Sequence, residues 1–526
     1  MAMTSNSSPT AVQSSGNSTG GYGPALAVLT TLFFIWGSLT SMNDVLIPFV
    51  QNVLHKAIDV SMLIQTAFFS AYFVFSIPSA KIIDWIGYKR AIIVGLGTMV
   101  AACLLFYPAA RVPSFPFFLI ALVVLAAGIT VLQVAANPYV AVLGRPETAS
   151  SRLNLTQAFN SLGTAVFPLV GAWLILGKSV GVASPAASQD GVVKLYVYFF
   201  AVLLVLLAFL FAVFRLPRME AAEHKIGQKV DDSIWKHPNL VFGAIGIFVY
   251  VGAEVAIGSD IANYLALPNI GHFASEIADP ATRYHAALAV AAQFISLYWL
   301  GAMFGRFIGS AVLGGAKALY VGISLVAAAF VLVFPYFTGG ANVGTGFVSQ
   351  LIALLHQLRP LVLLCAIVLA LLFIAALLNH GRVIMKTSHM LALCATCAGL
   401  LVLVSVFTAG HLAMWSILLV GFFNSIMFPS IFTSGIAELG QLTGDGSGLL
   451  NMAIVGGAAI PLIVGRLAVV INHRYYPTMT QGETSWGQGI HYALIIAAIC
   501  YLYILFYAVS GSKPNSERYG HAEARS

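Results

Sequence analysis

The chain has 526 residues, of which 59% are hydrophobic and only 8% charged, with a formal net charge of +7. An ordinary soluble domain is about 25% charged; no soluble fold hides so much apolar surface, so the composition excludes a water-soluble globule and requires a chain that crosses a bilayer repeatedly. The Lys and Arg lie between apolar runs rather than in one patch, which argues against nucleic acid as a partner.

A spanning helix needs roughly 20 apolar residues. Residues 1–22 form a Ser-, Asn- and Gly-rich tail without Lys or Arg, which reads as disordered and lacks the basic start of a signal peptide. The apolar rule then predicts helices at 24–48, 60–83, 91–110, 115–143, 152–177 and 194–215 in a first half, 23–216. A basic cytoplasmic linker, 217–237, follows. The second half, 238–511, gives 239–265, 285–312, 317–337, 357–378, 388–408, 411–438, 447–470 and 488–511, before a C-terminal tail, 512–526. The expected architecture is an all-α polytopic membrane protein with 14 spans, six plus eight, the surplus being a helix pair inserted near 317–378.

With both termini cytoplasmic, loops on that side hold Lys81, Lys89, Arg90, Arg145, Arg152, the linker cations, Arg306, Lys317, Arg382, Lys386 and the tail cations, most of the 25 basic residues. That is the expected positive-inside bias. It also requires an even insertion, since Arg382 and Lys386 fall inside only if two helices follow Lys317.

The halves echo one another. Gln133 stands five residues before Pro138, with Leu143-Gly144 beyond; Asn424 stands five before Pro429, with Leu439-Gly440 beyond. The following helices carry Pro168 and Pro461. Two related halves of six helices predict a transporter with its site between them, near the membrane midplane.

Several polar residues stand in these apolar runs. An amide in hydrocarbon without a partner is costly, so such groups face a protein interior or a wet cavity. Gln133 and Asn137 sit in the fourth predicted helix, Asn154, Gln157 and Asn160 in the fifth, with Ser161 beside them, and Asn424 in the second half. Gln157, Asn160 and Ser161 share about a 100° arc of one helix. Amides both donate and accept, as sugar hydroxyls do; an aromatic face for the sugar's C–H surface can come from Trp36, Phe68, Tyr139, Phe159, Trp299 or Phe428. No basic residue reads as lying in a helix centre, which argues against anionic substrates. Two acids stand in corresponding helices: Asp44, preceded by Asn43, near the end of the first helix, and Glu254 in the first helix of the second half. A carboxyl among apolar groups can exchange a proton near neutral pH, and with amides nearby can hold sodium instead.

Asp84-Trp-Ile-Gly87-Tyr-Lys89-Arg90 follows the second helix, and Gly301, Gly305, Arg306 and Gly309 read as its degenerate counterpart in the second half. Nothing points to an enzyme or a metal centre. There is no His-Glu-x-x-His and no Gly-x-Ser-x-Gly, and Cys394-Ala-Thr-Cys397 lies mid-helix without a second pair or a nearby His, as packing thiols do. No cofactor is expected.

Asn43-Asp44-x-Leu-x-Pro48, Ala135-Ala-Asn137-Pro138-Tyr139-Val, Arg152-Leu-Asn154-Leu-x-Gln157-x-Phe-Asn160-Ser161 and Phe428-Pro429-x-Ile-Phe432 together resemble the L-fucose:proton symporter family of the major facilitator superfamily, over residues 25–312 and 388–511. The loop Asp84–Arg90 is similar to that superfamily's gating loop. The resemblance implies the major facilitator fold, Asp44 as a protonatable group, and Gln157, Asn160 and Phe428 in a sugar cavity. Gln133 stands where the fucose transporter has a titratable glutamate. Leu132-Gln-Val-Ala-Ala-Asn-Pro-Tyr139 and Tyr250-Val-Gly-Ala-Glu254 look instead like the glucose/galactose branch. The implied protein is a monomeric bacterial inner-membrane importer of neutral hexoses, coupled to protons. N-acetylglucosamine, fucose or fructose as substrate, and sodium as the ion, remain open alternatives. Its expected binding residues are Asn43, Gln133, Asn137, Asn154, Gln157, Asn160, Asn424 and Phe428, with Asp44 and Glu254 for the ion and Asp84, Gly87, Lys89 and Arg90 in the gate.

Overall fold

The computed structural model describes residues 22–53, 63–112, 114–171, 174–175, 185–217, 232–273, 276–277, 279–314, 385–475 and 488–516. The expected insertion near 317–378 lies outside the described residues, as do nearly all of the tail 1–22 and most of the linker. In the first half the helices are α1 (Gly23–Val53), α2 (Leu63–Ile86), α3 (Tyr88–Arg111), α4 (Phe115–Val142), α5 (Ala149–Gly171) and α6. The last runs as Pro185–Val192, a π-helical stretch Val193–Phe200, and Ala201–Val213. The second half has α7 (Pro238–Leu265), α8 (Pro280–Gly314), α9 (Thr387–Phe407), α10 (Gly410–Asn424 and Met427–Gly435), α11 (Thr443–Met452 and Gly456–Tyr475, joined by the 3-10 turn Ala453–Val455) and α12 (Gly489–Ala493, Ile495–Phe506 and the π turn Tyr507–Gly511). Ten of these are long and apolar enough to cross a membrane. The amide-rich α5 is not among them, nor is α8. For the described helices the expected boundaries hold to within five residues, α1 running through Pro48 to Val53, except that α5 ends at Gly171, six residues short, and α6 begins at Pro185, nine residues early.

Proline shapes the two helices that echo each other. A proline lacks an N–H, so the carbonyl four residues earlier has no intrahelical donor. In α4, Pro138 frees the carbonyl of Val134, and Ser447 of α11 donates its hydroxyl to it at 2.9 Å. In α10, Pro429 frees the carbonyl of Ser425, where the helix breaks, and Arg306 Nε of α8 donates to it at 3.1 Å. The gaps left by the two prolines are thus filled from neighbouring helices, as buried backbone requires. The carbonyls at and just beyond the end of α4 are met by Arg152, which donates to those of Val140 (3.1 Å), Ala141 (2.5 Å) and Arg145 (3.0 Å).

Within the first half, α1 packs along α5 and α4 lies against α2 and α3; within the second, α7 packs on α11 and α10 on α8 and α9. Glycine allows the closest approach. A side chain at Gly37 would strike Asn160, and one at Gly163 would strike the carbonyl of Phe34, so α1 and α5 meet backbone to backbone. The halves meet along two seams, α2 with α11 and α5 with α8.

Several of the described hydrogen bonds between halves lie toward one end of these seams. Ser150 and Thr433 lie 2.5 Å apart, Thr387 donates to Ser150 at 3.1 Å, and Ser151 donates to the Ser310 carbonyl at 2.7 Å. Lys81 of α2 reaches Asp445 of α11 at 3.1 Å. This end carries the α2–α3, α4–α5 and α10–α11 loops, and it is closed.

Candidate functional site

Gln133 on α4 is buried and donates from Nε2 to the Tyr72 hydroxyl of α2 at 3.0 Å. Asn424 on α10 is buried and donates from Nδ2 to the Tyr298 hydroxyl of α8 at 2.7 Å. Each amide stands five residues before its helix's proline, and each meets a tyrosine on the corresponding partner helix. The sequence repeat therefore extends to side-chain pairing. The tyrosines were missed in the sequence because a Tyr in an apolar run reads as packing; a Tyr able to face the amide from the paired helix was the available signal.

A phenol bonded to an amide holds it in one rotamer and leaves its other polar atom to face a ligand. Tyr72→Phe removes that bond without changing shape. We expect the half-saturating substrate concentration to rise about fivefold, corresponding to about 1 kcal/mol, with maximal rate little changed; initial-rate uptake kinetics read both.

The expected basic vacancy in the helix centres is wrong. Arg306 is not a loop charge but is buried within α8, 8% exposed, where α5, α7 and α10 converge on it. Beyond the Ser425 carbonyl, its guanidinium donates to the Gln157 carbonyl at 3.2 Å and to the Ser161 hydroxyl, both on α5 in the other half. Its Nη2 lies 3.9 Å from Glu254 Oε1 on α7. Glu254 in turn accepts from the Tyr250 hydroxyl at 2.7 Å. Arg306 therefore does not belong among the loop cations that the positive-inside expectation counted. Its place as counterpart to the Asp84 loop passes to Ser310. Counting from the paired tyrosines, Ser310 is to Tyr298 as Asp84 is to Tyr72, and it meets α5 as Asp84 meets α11.

The remaining expected residues divide. Gln157 is buried beside Arg306, and Phe159 packs edge-on against Phe307 of α8 at 5.9 Å. Asn160 donates to the Phe33 carbonyl at 2.9 Å and so helps hold α1 on α5. Asn154 is buried toward the closed end, its Nδ2 bonded to the Ser150 carbonyl at 2.8 Å. Asn137 is fully buried one turn beyond Gln133. Phe428 stacks on Phe432 with ring centroids 5.8 Å apart. Tyr139 is turned to the linker, its hydroxyl donating to the Pro217 carbonyl at 2.5 Å. Asn43 and Asp44 lie on α1, with side chains outside the described set.

In the loop after α2, Gly87 takes φ 78°, the left-handed region, which lets α2 end and α3 begin without a spacer. Lys81 lies 3.6 Å from Asp84 as well as 3.1 Å from Asp445. A Cβ at Gly444, in the first turn of α11, would stand 3.4 Å from Asp84 Oδ1, so the carboxylate sits at that helix's positive end. Lys89 donates to the Ala212 carbonyl at the end of α6, 3.0 Å, within its own half. Arg90 is exposed. Among the described residues no group of His, Cys, Asp or Glu is arranged to hold a metal.

The profile of the Major Facilitator Superfamily matches residues 28–360. A glucose/galactose transporter of Brucella abortus biovar 1 (strain 9-941) is 40% identical over 492 residues, 94% of this chain and 95% of that one. A putative glucose/galactose transporter of Helicobacter pylori (strain ATCC 700392 / 26695) is 32% identical over 495 residues, 93% and 97% of the two chains. The crystal structure of the Escherichia coli fucose:proton symporter superposes with a TM-score of 0.66 at 25% identity, covering 94% of this chain and 100% of that one. A structure of the same transporter in an outward conformation gives 0.66 at 24% identity.

Proposed function

We propose that this chain, which belongs to the major facilitator superfamily, is a secondary active transporter that imports glucose and galactose by alternating access, coupled to protons. Relatedness over nearly its whole length to a glucose/galactose transporter carries this reading. The neutral amide–tyrosine pairs, one per half, suit a hydroxyl-rich substrate. The sugar would lie between Gln133 and Tyr72 on one side and Asn424 and Tyr298 on the other, with Gln157 and Asn160 of α5 beside it, Asn43 contributing from α1, and Phe428 offering a ring face. Asp44 would carry the proton. Glu254, engaged by Arg306 and Tyr250, would assist rather than titrate alone. The closed end would be cytoplasmic, with both termini on that side of a bacterial inner membrane, and Asp84, Gly87, Lys89 and Arg90 would secure it. Fourteen spans, with an even insertion after α8, leave that arrangement intact.

The test is uptake by purified protein in proteoliposomes. Labelled glucose should accumulate under an inward proton gradient, and should be displaced by galactose more effectively than by fucose, fructose or N-acetylglucosamine. Accumulation under a sodium gradient alone would overturn proton coupling. Preferential displacement by N-acetylglucosamine or fucose would overturn the sugar.

A further inference from the structure

Ser76 on α2, Asn137 on α4 and Asn451 on α11 are all 0% exposed. Yet the Ser76 hydroxyl, both amide atoms of Asn137 and Asn451 Oδ1 have no hydrogen-bond partner. Asn451 Nδ2 is committed to the Ser447 carbonyl at 2.8 Å. These are not scattered defects. Ser76 follows Tyr72 by four residues and Asn137 follows Gln133 by four, so the helix faces that meet in the Gln133–Tyr72 bond confront each other again one turn nearer the closed end. α11 of the other half closes over this place. A Cβ at Gly448 would stand 3.2 Å from the Ser76 carbonyl, and Ser447 donates to the Val134 carbonyl at 2.9 Å. Two of the unpaired residues therefore belong to one half and one to the other, on the same seam.

A buried unpaired amide is costly and is normally satisfied. Parting of α2 and α4 from α11 would let each of these groups be met. Together they offer free donors and free acceptors, the complement of adjacent hydroxyls on a pyranose. We infer that Ser76, Asn137 and Asn451 form a second sugar station, one turn below the Gln133–Tyr72 pair, which forms when the halves part at the end closed here and which holds the sugar as it leaves. Asn137 thereby moves from the wall of the central site to the exit.

This rests on the sugar-transport reading above. The experiment uses the full-length protein in proteoliposomes of known orientation, with labelled glucose supplied at one face or the other. Asn137→Ala should raise the half-saturating glucose concentration about tenfold at the closed-end face, and leave it within about twofold at the opposite face. Ser76→Ala and Asn451→Ser, which disturb packing less, should shift the same face by about threefold. Equal shifts at both faces, or none at the closed-end face, would overturn the station while leaving sugar transport intact. A native protein that moves neither glucose nor galactose would overturn both.

Discussion

Arg306→Ala should abolish transport. The guanidinium is 10% exposed and the Glu254 carboxylate 12%, so the change leaves an acid buried without its counter-charge. Breaking one partner of a buried pair costs about 3–5 kcal/mol, two to three and a half powers of ten in a conformational equilibrium. The same change strips the donor from the Ser425 carbonyl that Pro429 had freed, and from the Gln157 carbonyl and Ser161 hydroxyl across the seam. Initial uptake should therefore fall at least a hundredfold with the protein still in the membrane. Arg306→Lys keeps the charge near Glu254 but has no planar fork to serve three acceptors on two helices; it should recover only part of the rate. Arg306→Met combined with Glu254→Gln should regain thermal stability in detergent relative to Arg306→Ala, because neither charge is then stranded. Near-native uptake by Arg306→Ala would mean that the contact between α8 and α5 is not part of the working cycle.

Asp44→Asn should separate movement from accumulation. Under the proposed scheme, protonation of Asp44 neutralises a charge in α1 and changes the relative stability of the two states. An amide there is permanently neutral. Counterflow of labelled sugar against unlabelled sugar should persist, while accumulation driven by a proton gradient collapses to equality across the membrane and the pH dependence of uptake flattens. Retained accumulation with its pH dependence unchanged would shift the burden to Glu254. The contrast between the two variants is informative. Loss of Arg306 removes counterflow as well, because it disrupts the meeting of the halves, whereas loss of Asp44 spares it.

The helices were legible because each is an apolar run closed by charge or glycine, and their pairing into halves was legible from Gln133 with Pro138 and Asn424 with Pro429. Arg306 was not. Only its neighbours in space, Glu254 on α7, Ser161 on α5 and Ser425 on α10, mark it as interior, and no local pattern brings these together. Read locally, an arginine among glycines near a helix end is a loop charge. The amides were found because they are misfits in lipid, but their division was not. Asn160 is occupied with the Phe33 carbonyl and Asn154 with its own helix, while Gln133 meets a phenol and Asn137 meets nothing. That sorting depends on which helix faces which, a property of packing between helices far apart in the chain, 61 residues for Gln133 with Tyr72 and 127 for Asn160 with Phe33.

The closed end is held mostly by hydroxyls: Ser150 on Thr433, Thr387 on Ser150, Ser151 on the Ser310 carbonyl and Ser447 on the Val134 carbonyl. Among the described contacts there, Lys81 with Asp445 is the ion pair that crosses between the halves, Lys81 lying near Asp84 of its own helix as well. Dissolved salt screens charges over about 10 Å at 0.1 M, but it has little purchase on neutral hydrogen bonds. Raising the ionic strength on the side that this end faces should therefore change the rate of its opening little.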